Sequence, residues 1–430
     1  MLPSRPRLER WNPDSLSTSG QSAREAGAAV GQAVARISNN LKTMPETRSW
    51  SGGAHDAAVS MFERAQKQTD NFSKYTAAIG DALKGGAGPI GSARTTLLNK
   101  ADEIDQSGQL WVNDQWVVLI KGGQMTVEQA AALEKRAQSE QRTVITLLSA
   151  VGKADEDTAA KVTTAAQQFG FAVPDSGGLG PLFPGVAKPD DEVPNPMFPL
   201  GVLQQAVIRD GDMKQTVRET TVEKKYNPET GEEISTVTTR YMMDGSRYVE
   251  TVNAKASFSD RSPLTTVVHF DKDNKQISRT ETVTWKPWAP SSLAGKTTST
   301  TTYADGTIAE LEQLPNGEQF VTIRTPDARE PNVPINLTDH PVLSTVSAAG
   351  GKYLGPGVAV ATALWDYHVA DSDFKKCVAA AEGITGVTAG TLAGLATLEF
   401  SPAVSIPVGL LAAGGGEALG NWIGNTFCPR

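Results

Sequence analysis

Two long runs of small and apolar residues, each spaced alternately by three and four positions, constrain the fold of this chain most. The runs are Leu16, Gly20, Ala23, Gly27, Val30, Val34, Ile37, Leu41, Met44 and Ala54, Ala58, Met61, Ala65, Gln68, Phe72, Tyr75, Ile79, Ala82. This spacing forms one stripe along an α-helix. Pro45 and the pair Gly85–Gly86 are stop signals. The sequence therefore predicts a hairpin of two helices, each about eight turns long, over residues 12–85.

The segment between the two runs contains Trp50, Ser51 and Gly52. Gly52 allows a tight turn, and Ser51 is a candidate N-cap of the second helix. Trp50 is the one large apolar side chain at this closed end of the hairpin. One interpretation makes Trp50 a hydrophobic plug, and the other makes Trp50 and Gly52 part of a recognition motif.

Helical patterns continue after the hairpin, with one interruption. The run LWVNDQWVVLI at residues 110–120 is rich in β-forming side chains around a turn, which predicts a small β-hairpin. Thr126 and Asp155 are predicted N-caps of two further helices that end near residues 151 and 168. We expect residues 1–170 to form a helical domain.

The middle of the chain changes character twice. Residues 171–204 are rich in Pro and Gly and predict an extended linker. In residues 205–327, Thr, Val and Tyr alternate with charged residues between Asp-Gly and Asn-Gly turns. This pattern predicts an antiparallel β meander, either as an extended sheet or as a flattened sandwich, with one face much wetter than the other.

Residues 328–430 are expected to form a glycine-rich helical hairpin. The glycines recur at intervals of four, which lets two helices approach closely; they are Gly386, Gly390, Gly394, Gly416, Gly420 and Gly424. Cys377 and Cys428 flank the two helices, and we expect a disulfide between them, the alternative being a pair of free buried thiols. The predicted fold class is multidomain α+β.

The apolar hairpin has two interpretations. Its uncharged run at 383–398 is shorter than the about 20 residues that span a bilayer, so a conventional transmembrane anchor is not predicted. Either residues 383–424 contact and conditionally enter a membrane, or they pack as a compact hairpin against the rest of the C-terminal region.

With the helices and the turn in place, Trp50-Ser51-Gly52 resembles the WXG motif of substrates of type VII (ESX-like) secretion systems. Larger members of that group carry an effector or toxin module behind the helical hairpin. They have no cleavable signal peptide, and the first residues of this chain show no apolar signal segment either. The resemblance implies export by a non-Sec route to a secreted or cell-envelope location. It also implies contact of the N-terminal helices with the secretion machinery or a chaperone.

One feature departs from that family. Its export signal is often Tyr-x-x-x-Asp/Glu just after the second helix. Here Tyr75 is followed four residues later by Ile79, and the only match to the pattern is Tyr367 to Asp371, near the C-terminus. This departure leaves open whether the chain is exported itself, is transported on a partner, or has only kept the fold of the family.

Signals for catalysis are weak. Four histidines and two cysteines argue against a Cys/His metal site, and we expect no metal and no cofactor. No nucleophile elbow, phosphate loop or HExxH sequence is present. His269 with Asp271 and Asp273 is either a metal or nuclease cluster or an ordinary hairpin turn. His368 lies between two aspartates and is either catalytic or part of a polar helix surface.

These observations favour a non-enzymatic, effector-like protein of a type VII pathway. The alternative is a secreted binding or cell-envelope protein that acts through its β domain, and an enzyme with a site spread over the β and C-terminal regions is a third class. Nucleic acid is not an expected partner, because the net charge is −8 and no Lys/Arg block occurs.

Overall fold

The computed structural model describes residues 2–43, 49–170, 192–193, 195–304, 306–324, 326 and 335–336. Helices dominate the N-terminal part and an antiparallel sheet follows, so the fold is mixed α+β. The chain divides into two compact units. The first takes residues 1–103 and 142–197, and the second takes residues 104–141 and those from 198 onward. The predicted glycine-rich hairpin lies outside the described residues.

The helices of the described chain are α1 (Arg5–Arg10), α2 (Asp14–Thr43), α3 (Gly53–Gln106), α4 (Val127–Gln168) and α5 (Pro199–Gln215). Most of α3 and α4 belongs to the first unit, and their remaining turns belong to the second. In the first unit, strand β1 (Leu2–Pro3) pairs antiparallel with β4 (Glu192–Val193).

The predicted hairpin of α2 and α3 is confirmed, and glycines allow its close packing. A Cβ atom at Gly20 would lie 2.6 Å from the carbonyl oxygen of Gly80, so only glycine fits this crossing. Gly27 lies against the side chain of Thr76 in the same way. Arg24 and Asp81 form an ion pair at 2.8 Å alongside this contact. Residues early in α2 thus meet residues late in the paired part of α3, as an antiparallel hairpin requires.

The predicted end of the second helix at Gly85–Gly86 is wrong. Helix α3 continues through Pro89 and comprises 54 residues. Gly86 packs against Thr158 of α4, where a side chain would collide. The glycine therefore serves a helix crossing rather than a C-cap, and buried side chains such as Leu97 hold the continued helix in place.

The predicted break between two helices near residues 151–155 is also wrong, because α4 is one helix of 42 residues. Val151 and Leu148 are buried, so packing on the core keeps the helix continuous where local sequence suggests a new start. The predicted cap at Thr126 is confirmed: the backbone N–H of Gln129 donates to Thr126 Oγ1 at 3.2 Å, and Thr126 N donates to Gln129 Oε1 at 2.8 Å.

The second unit contains the predicted small hairpin, β2 (Leu110–Val112) with β3 (Val118–Ile120). Helix α5 packs beside it, with Ile208 buried against Val117 and Leu119. This helix occupies residues for which the sequence predicts the end of a linker and the start of the sheet. The prolines around this segment favour a linker, so the sequence does not predict the helix. The apolar contact with the small hairpin stabilises the helix.

The predicted antiparallel meander is confirmed, and it begins at residue 217. Each strand pairs with the next one in sequence, from β5 at one edge to the two-residue β13 at the other. The strands are β5 (Val217–Tyr226), β6 (Glu233–Met242), β7 (Arg247–Asn253), β8 (Thr265–Phe270), β9 (Gln276–Thr284), β10 (Thr297–Tyr303), β11 (Ile308–Gln313), β12 (Gln319–Arg324) and β13 (Ile335–Asn336).

The two faces of this sheet differ in chemistry. On one face, the hydroxyl groups of β9 and β10 share hydrogen bonds between opposite residues: Thr280 with Thr301 at 2.8 Å and Thr282 with Ser299 at 2.9 Å. The first of these pairs is almost fully buried. On the other face, charged side chains form surface ion pairs, including Arg279 with Glu281.

Candidate functional site

Helix α4 packs along only part of the helical hairpin formed by α2 and α3. The end of the hairpin that carries Trp50 extends beyond the end of α4. Within the first unit, Thr158 of α4 lies against Gly86 of α3, and the ring of Phe169 lies 6.1 Å from that of Tyr75. These two contacts set an antiparallel register in which α4 ends beside Tyr75. Past that level, the described residues of this unit comprise only the paired helices α2 and α3. We call residues 30–43 and 49–74 the hairpin tip.

Large apolar side chains are exposed in the hairpin tip. Among all described residues of α2, α3 and the turn between them, the exposed large hydrophobics are Val30, Ile37, Trp50, Met61 and Phe72, with between 37% and 51% of their surface accessible. All five lie in the tip. Outside the tip, the large apolar side chains of the two helices are buried or half-buried.

The exposed side chains form a stripe on each helix. Val30 and Ile37 are seven residues apart, and Met61 and Phe72 are eleven apart, which correspond to about two and three turns and so to one helix face. All four belong to the three-and-four spacing that predicts the hairpin seam. The seam thus continues past the close glycine contacts as an open apolar surface.

The turn places Trp50 at the end of this surface. Gly52 has a φ of +100°, which favours glycine, and its carbonyl oxygen accepts from the backbone N–H of Asp56 at 3.1 Å. Gly52 therefore precedes the first turn of α3, in the position predicted for Ser51. The indole of Trp50 meets the imidazole of His55 edge to face at 5.5 Å. The interpretation of Trp50 as a buried plug is wrong, because the side chain is exposed.

The charges around the stripes are few and mixed. The tip contains five Lys or Arg and three Asp or Glu residues, a local net charge of +2 on a chain of net charge −8. Lys42 and Glu63 approach to 4.0 Å across the two helices. Such a surface suits another protein helix better than a highly charged ligand.

The predicted cluster at His269 is a turn. Asp271 Oδ1 accepts from the backbone N–H groups of Asp273 and Lys275 at 2.9 and 2.8 Å, which shapes the connection from β8 to β9. His269 itself is buried. No group of three or more His, Cys, Asp or Glu side chains with metal-binding geometry occurs in the described part of the chain.

Two groups in the second unit have shifted pKa values, and the sequence singled out His269 but not Asp212. Burial raises the pKa of Asp212 on α5 to about 6. Burial, with a smaller contribution from the nearby Lys214, lowers the pKa of His269 to about 4. Asp212 gave no signal because its segment was assigned to the linker and sheet rather than to a helix.

Several predicted site residues lie outside the described residues. They are Cys377, Cys428, Gly386, Gly390, Gly394, Gly416, Gly420, Gly424, His368 and the Tyr367–Asp371 pattern. The predicted disulfide and glycine-packed hairpin thus stay predictions. Among the helices that are described, none combines the length and the hydropathy needed to cross a bilayer.

The chain matches no known protein family, and no curated protein or solved structure shows significant similarity to it.

Proposed function

We propose that this chain is a non-enzymatic protein of a type VII secretion pathway and that its hairpin tip docks a helical partner, either a chaperone or a component of the secretion machinery. One observation carries the proposal. The exposed large apolar side chains of the hairpin all lie in the part that α4 does not cover. The WXG-like turn at Trp50–Gly52 lies at the end of that same part.

The spacing of the stripes favours a helix as the occupant. Side chains that recur every two or three turns form ridges, and a partner helix packs its own ridges into the grooves between them. Burying a side chain the size of Val, Ile, Met or Phe contributes about 1.5–3 kcal/mol. About half or less of each of the five side chains is still accessible, so their burial supplies on the order of 5 kcal/mol. That is at the lower end of the entropic cost of association.

Trp50 supplies the specific element of this surface. Tryptophan is enriched among the residues that dominate binding energies, because it buries a large area with few rotatable bonds. The edge-to-face contact with His55 restricts the indole before a partner arrives. The same indole is exposed in the chain by itself, so its burial is available to the complex.

A second candidate function is a secreted binding or cell-envelope protein that acts through its sheet. The guanidinium carbon of Arg261 lies over the ring of Phe258, 4.4 Å from its centroid, and over the ring of Trp285, 4.3 Å from its centroid. Phe258 and the nearby Trp288 are both exposed. Aromatic and Arg side chains are enriched at the centre of protein interfaces. The first candidate also includes the predicted C-terminal effector region and the proposed membrane contact at 383–424.

An export assay tests the first candidate. The double variant Ile37→Gln/Met61→Gln removes one apolar side chain from each stripe and keeps residues that favour helix. In a host with a functional type VII system, we expect the exported fraction to fall at least tenfold. In a host that lacks the motor of that system, wild type and variant should both stay inside the cell.

Val127→Gln is the matched control, because Val127 is an exposed apolar helix residue outside the tip. Its export should equal that of the wild type. Circular dichroism of each purified variant checks the fold. Undiminished export of the folded double variant would contradict the proposal. Trp288→Ala distinguishes the two candidates. If the second candidate is right, this variant should be exported normally and should no longer attach to the cell envelope.

A further inference from the structure

Strand β5 forms one edge of the described sheet, because it pairs only with β6. The loop after β3 covers the beginning of this edge. The backbone N–H of Gly123 donates to the carbonyl oxygen of Val217 at 3.1 Å, and Gln124 Oε1 accepts from the backbone N–H of Thr220 at 3.2 Å. From residue 221 to residue 226, no described segment pairs with the outer side of the strand. We call residues 221–226 the open edge.

The open edge presents backbone groups at every second residue. The backbone N–H of Thr220 points away from β6, since it is bonded to Gln124. In an antiparallel strand, the N–H and C=O of one residue point to the same side, and those of the next residue point to the other side. Val222, Lys224 and Tyr226 therefore point outward as well, and their outward groups have no hydrogen bond in the described part of the chain. Such an edge is a template for a further strand.

Exposed apolar side chains gather at the same edge. Among the described residues of the nine strands β5–β13, the exposed large hydrophobics are Val222, Tyr226, Ile234 and Val252. They belong to β5, β6 and β7, the three strands nearest the open edge. The alternation of side chains and the pairing register place all four on one face of the sheet. The edge thus offers another strand both unpaired backbone groups and apolar surface.

We propose that the open edge pairs with the open edge of a second copy of this chain, antiparallel and centred on Lys224. The pairing joins the two sheets into one across a two-fold axis. A two-fold contact uses the same patch on both copies and therefore closes at two. The opposite edge of the described sheet is the two-residue β13, which offers no comparable length of strand. This dimer is distinct from the docking of a helix at the hairpin tip and does not depend on it.

The side chains of the open edge are complementary to themselves in this register. Val222 lies opposite Tyr226 of the second copy, so each such pair sets a β-branched side chain against an aromatic ring. On the other face, Glu223 lies opposite Lys225 of the second copy. Both charged side chains are exposed, and neither forms an ion pair with another described residue. The two-fold axis repeats the apolar pair and the charge pair, once on each side of the centre.

Registers shifted along the strand fit less well. A centre on Val222 would place Tyr226 of the second copy opposite Arg218, whose carbonyl oxygen already accepts from the backbone N–H of Met125 at 3.0 Å. The covering loop therefore excludes that register. A centre one residue to either side of Lys224 would set two glutamates or two lysines opposite each other, which is destabilising.

Lys224 faces its own copy at the centre of the proposed contact, and its charge is already compensated. Its ammonium group is paired with Glu233 of the same chain at 2.8 Å, and Glu233 also accepts from Thr236 Oγ1 at 2.8 Å. The carboxylate is thus held beside the ammonium group in each copy. Because each lysine carries its own counter-charge, the two lysines repel each other only weakly.

The contact is small, so we expect a reversible dimer. Three pairs of outward-facing residues exchange two hydrogen bonds each, about six in total. Contacts at the low end of the size range of specific complexes are weak, and we expect a dissociation constant on the order of 10 µM. Sedimentation velocity of the full chain at concentrations from about 1 to 200 µM covers this range. A chain that stays monomeric at every concentration would overturn the proposal.

Exchange of the facing charges tests the register. Glu223→Lys alone sets lysines opposite each other, and Lys225→Glu alone sets glutamates opposite each other. We expect each single variant to raise the dissociation constant about tenfold. The double variant Glu223→Lys/Lys225→Glu restores opposite charges and should return to within about threefold of the wild type. Lys275→Glu is the matched control, because Lys275 is exposed in the turn between β8 and β9, and it should leave the constant unchanged.

A dimer that is equally stable in the wild type, both single variants and the double variant forms elsewhere on the chain, and this result would overturn the proposal. The tip variant Ile37→Gln/Met61→Gln tests one such place. It should dimerise as the wild type does, whatever its effect on export. Loss of the dimer in the tip variant, with no effect of the charge variants, would assign the contact to the hairpin tip.

Oxidative cross-linking locates the centre of the contact. In the proposed register, the Cα atoms of residue 224 in the two copies lie about 5.5 Å apart, within the range that a disulfide spans. Lys224→Cys should therefore give a covalent dimer whose cross-linked peptides contain residue 224. Val222→Cys is the matched control, since the two copies of residue 222 lie about 14 Å apart in this register. A cross-link between the two residues 222, or none between the two residues 224, would contradict pairing about Lys224.

Discussion

The two units of this protein achieve close packing by opposite means. In the first, glycines remove side chains so that α2 and α3 approach backbone to backbone, as at Gly20 and Gly80. In the second, buried polar groups satisfy one another, as the hydroxyls of Thr280 and Thr301 do. The first unit depends on shape and tolerates little added volume. The second relies, between β9 and β10, on paired hydroxyl groups, and unpairing one of them there should be costly.

The largest effect should come from added volume at the helix crossing. Gly20→Ala places a Cβ 2.6 Å from the carbonyl oxygen of Gly80, a backbone atom that no rotamer change can move. We expect a loss of about 3 kcal/mol in the free energy of unfolding. Urea unfolding followed by the helical circular dichroism signal measures it.

Gly31→Ala is the matched control on the same helix, because a Cβ at Gly31 meets no atom within 4 Å. The better helix propensity of Ala should stabilise that variant by about 0.5–1 kcal/mol. If both substitutions shift the unfolding free energy in the same direction, close packing of α2 on α3 is not what holds the hairpin.

The next largest effect should come from an unpaired hydroxyl in the sheet. Thr280→Val keeps the shape of the side chain and leaves the hydroxyl of Thr301 buried without its partner. We expect a loss of about 2 kcal/mol, the cost of an unsatisfied buried polar group.

The double variant Thr280→Val/Thr301→Val should recover most of that loss, because both hydroxyls are then absent. The double-mutant cycle from denaturant unfolding gives the coupling free energy directly. Additive losses in the cycle would show that the hydroxyl pair does not stabilise this part of the sheet.

Local patterns predicted the elements whose signals are periodic. The hairpin of α2 and α3, the small hairpin at 110–120, the cap at Thr126 and the β meander are all confirmed. In each case, the spacing of apolar residues or a turn dipeptide determines the structure without distant partners.

Tertiary contacts decided the rest. By its local sequence, Gly86 is a helix stop signal. In the structure it lies within α3, where it packs against Thr158. Helix α5 has weak local signals and is stabilised by the packing of Ile208 on Val117 and Leu119. The shifted pKa values of Asp212 and His269 arise from burial that no spacing reveals. The exposure of Trp50 likewise depends on where α4 ends.

The smallest effect on stability should come from the hairpin tip, where the first unit has neither close glycine contacts nor a covering helix. Trp50→Ala removes an exposed side chain whose one aromatic contact is with His55. The free energy of unfolding should therefore change by less than about 0.5 kcal/mol, the usual range for surface positions.

The same substitution should strongly lower export if the tip is a docking surface, because the indole is then buried only in the complex. Unfolding and export measured on one variant thus separate a structural role from a recognition role. His55→Gln is the companion variant, since it keeps Trp50 and removes only the ring that restrains it; we expect a smaller loss of export. A large loss of stability in Trp50→Ala would place the tryptophan in the core of the hairpin and remove the basis for docking at the tip.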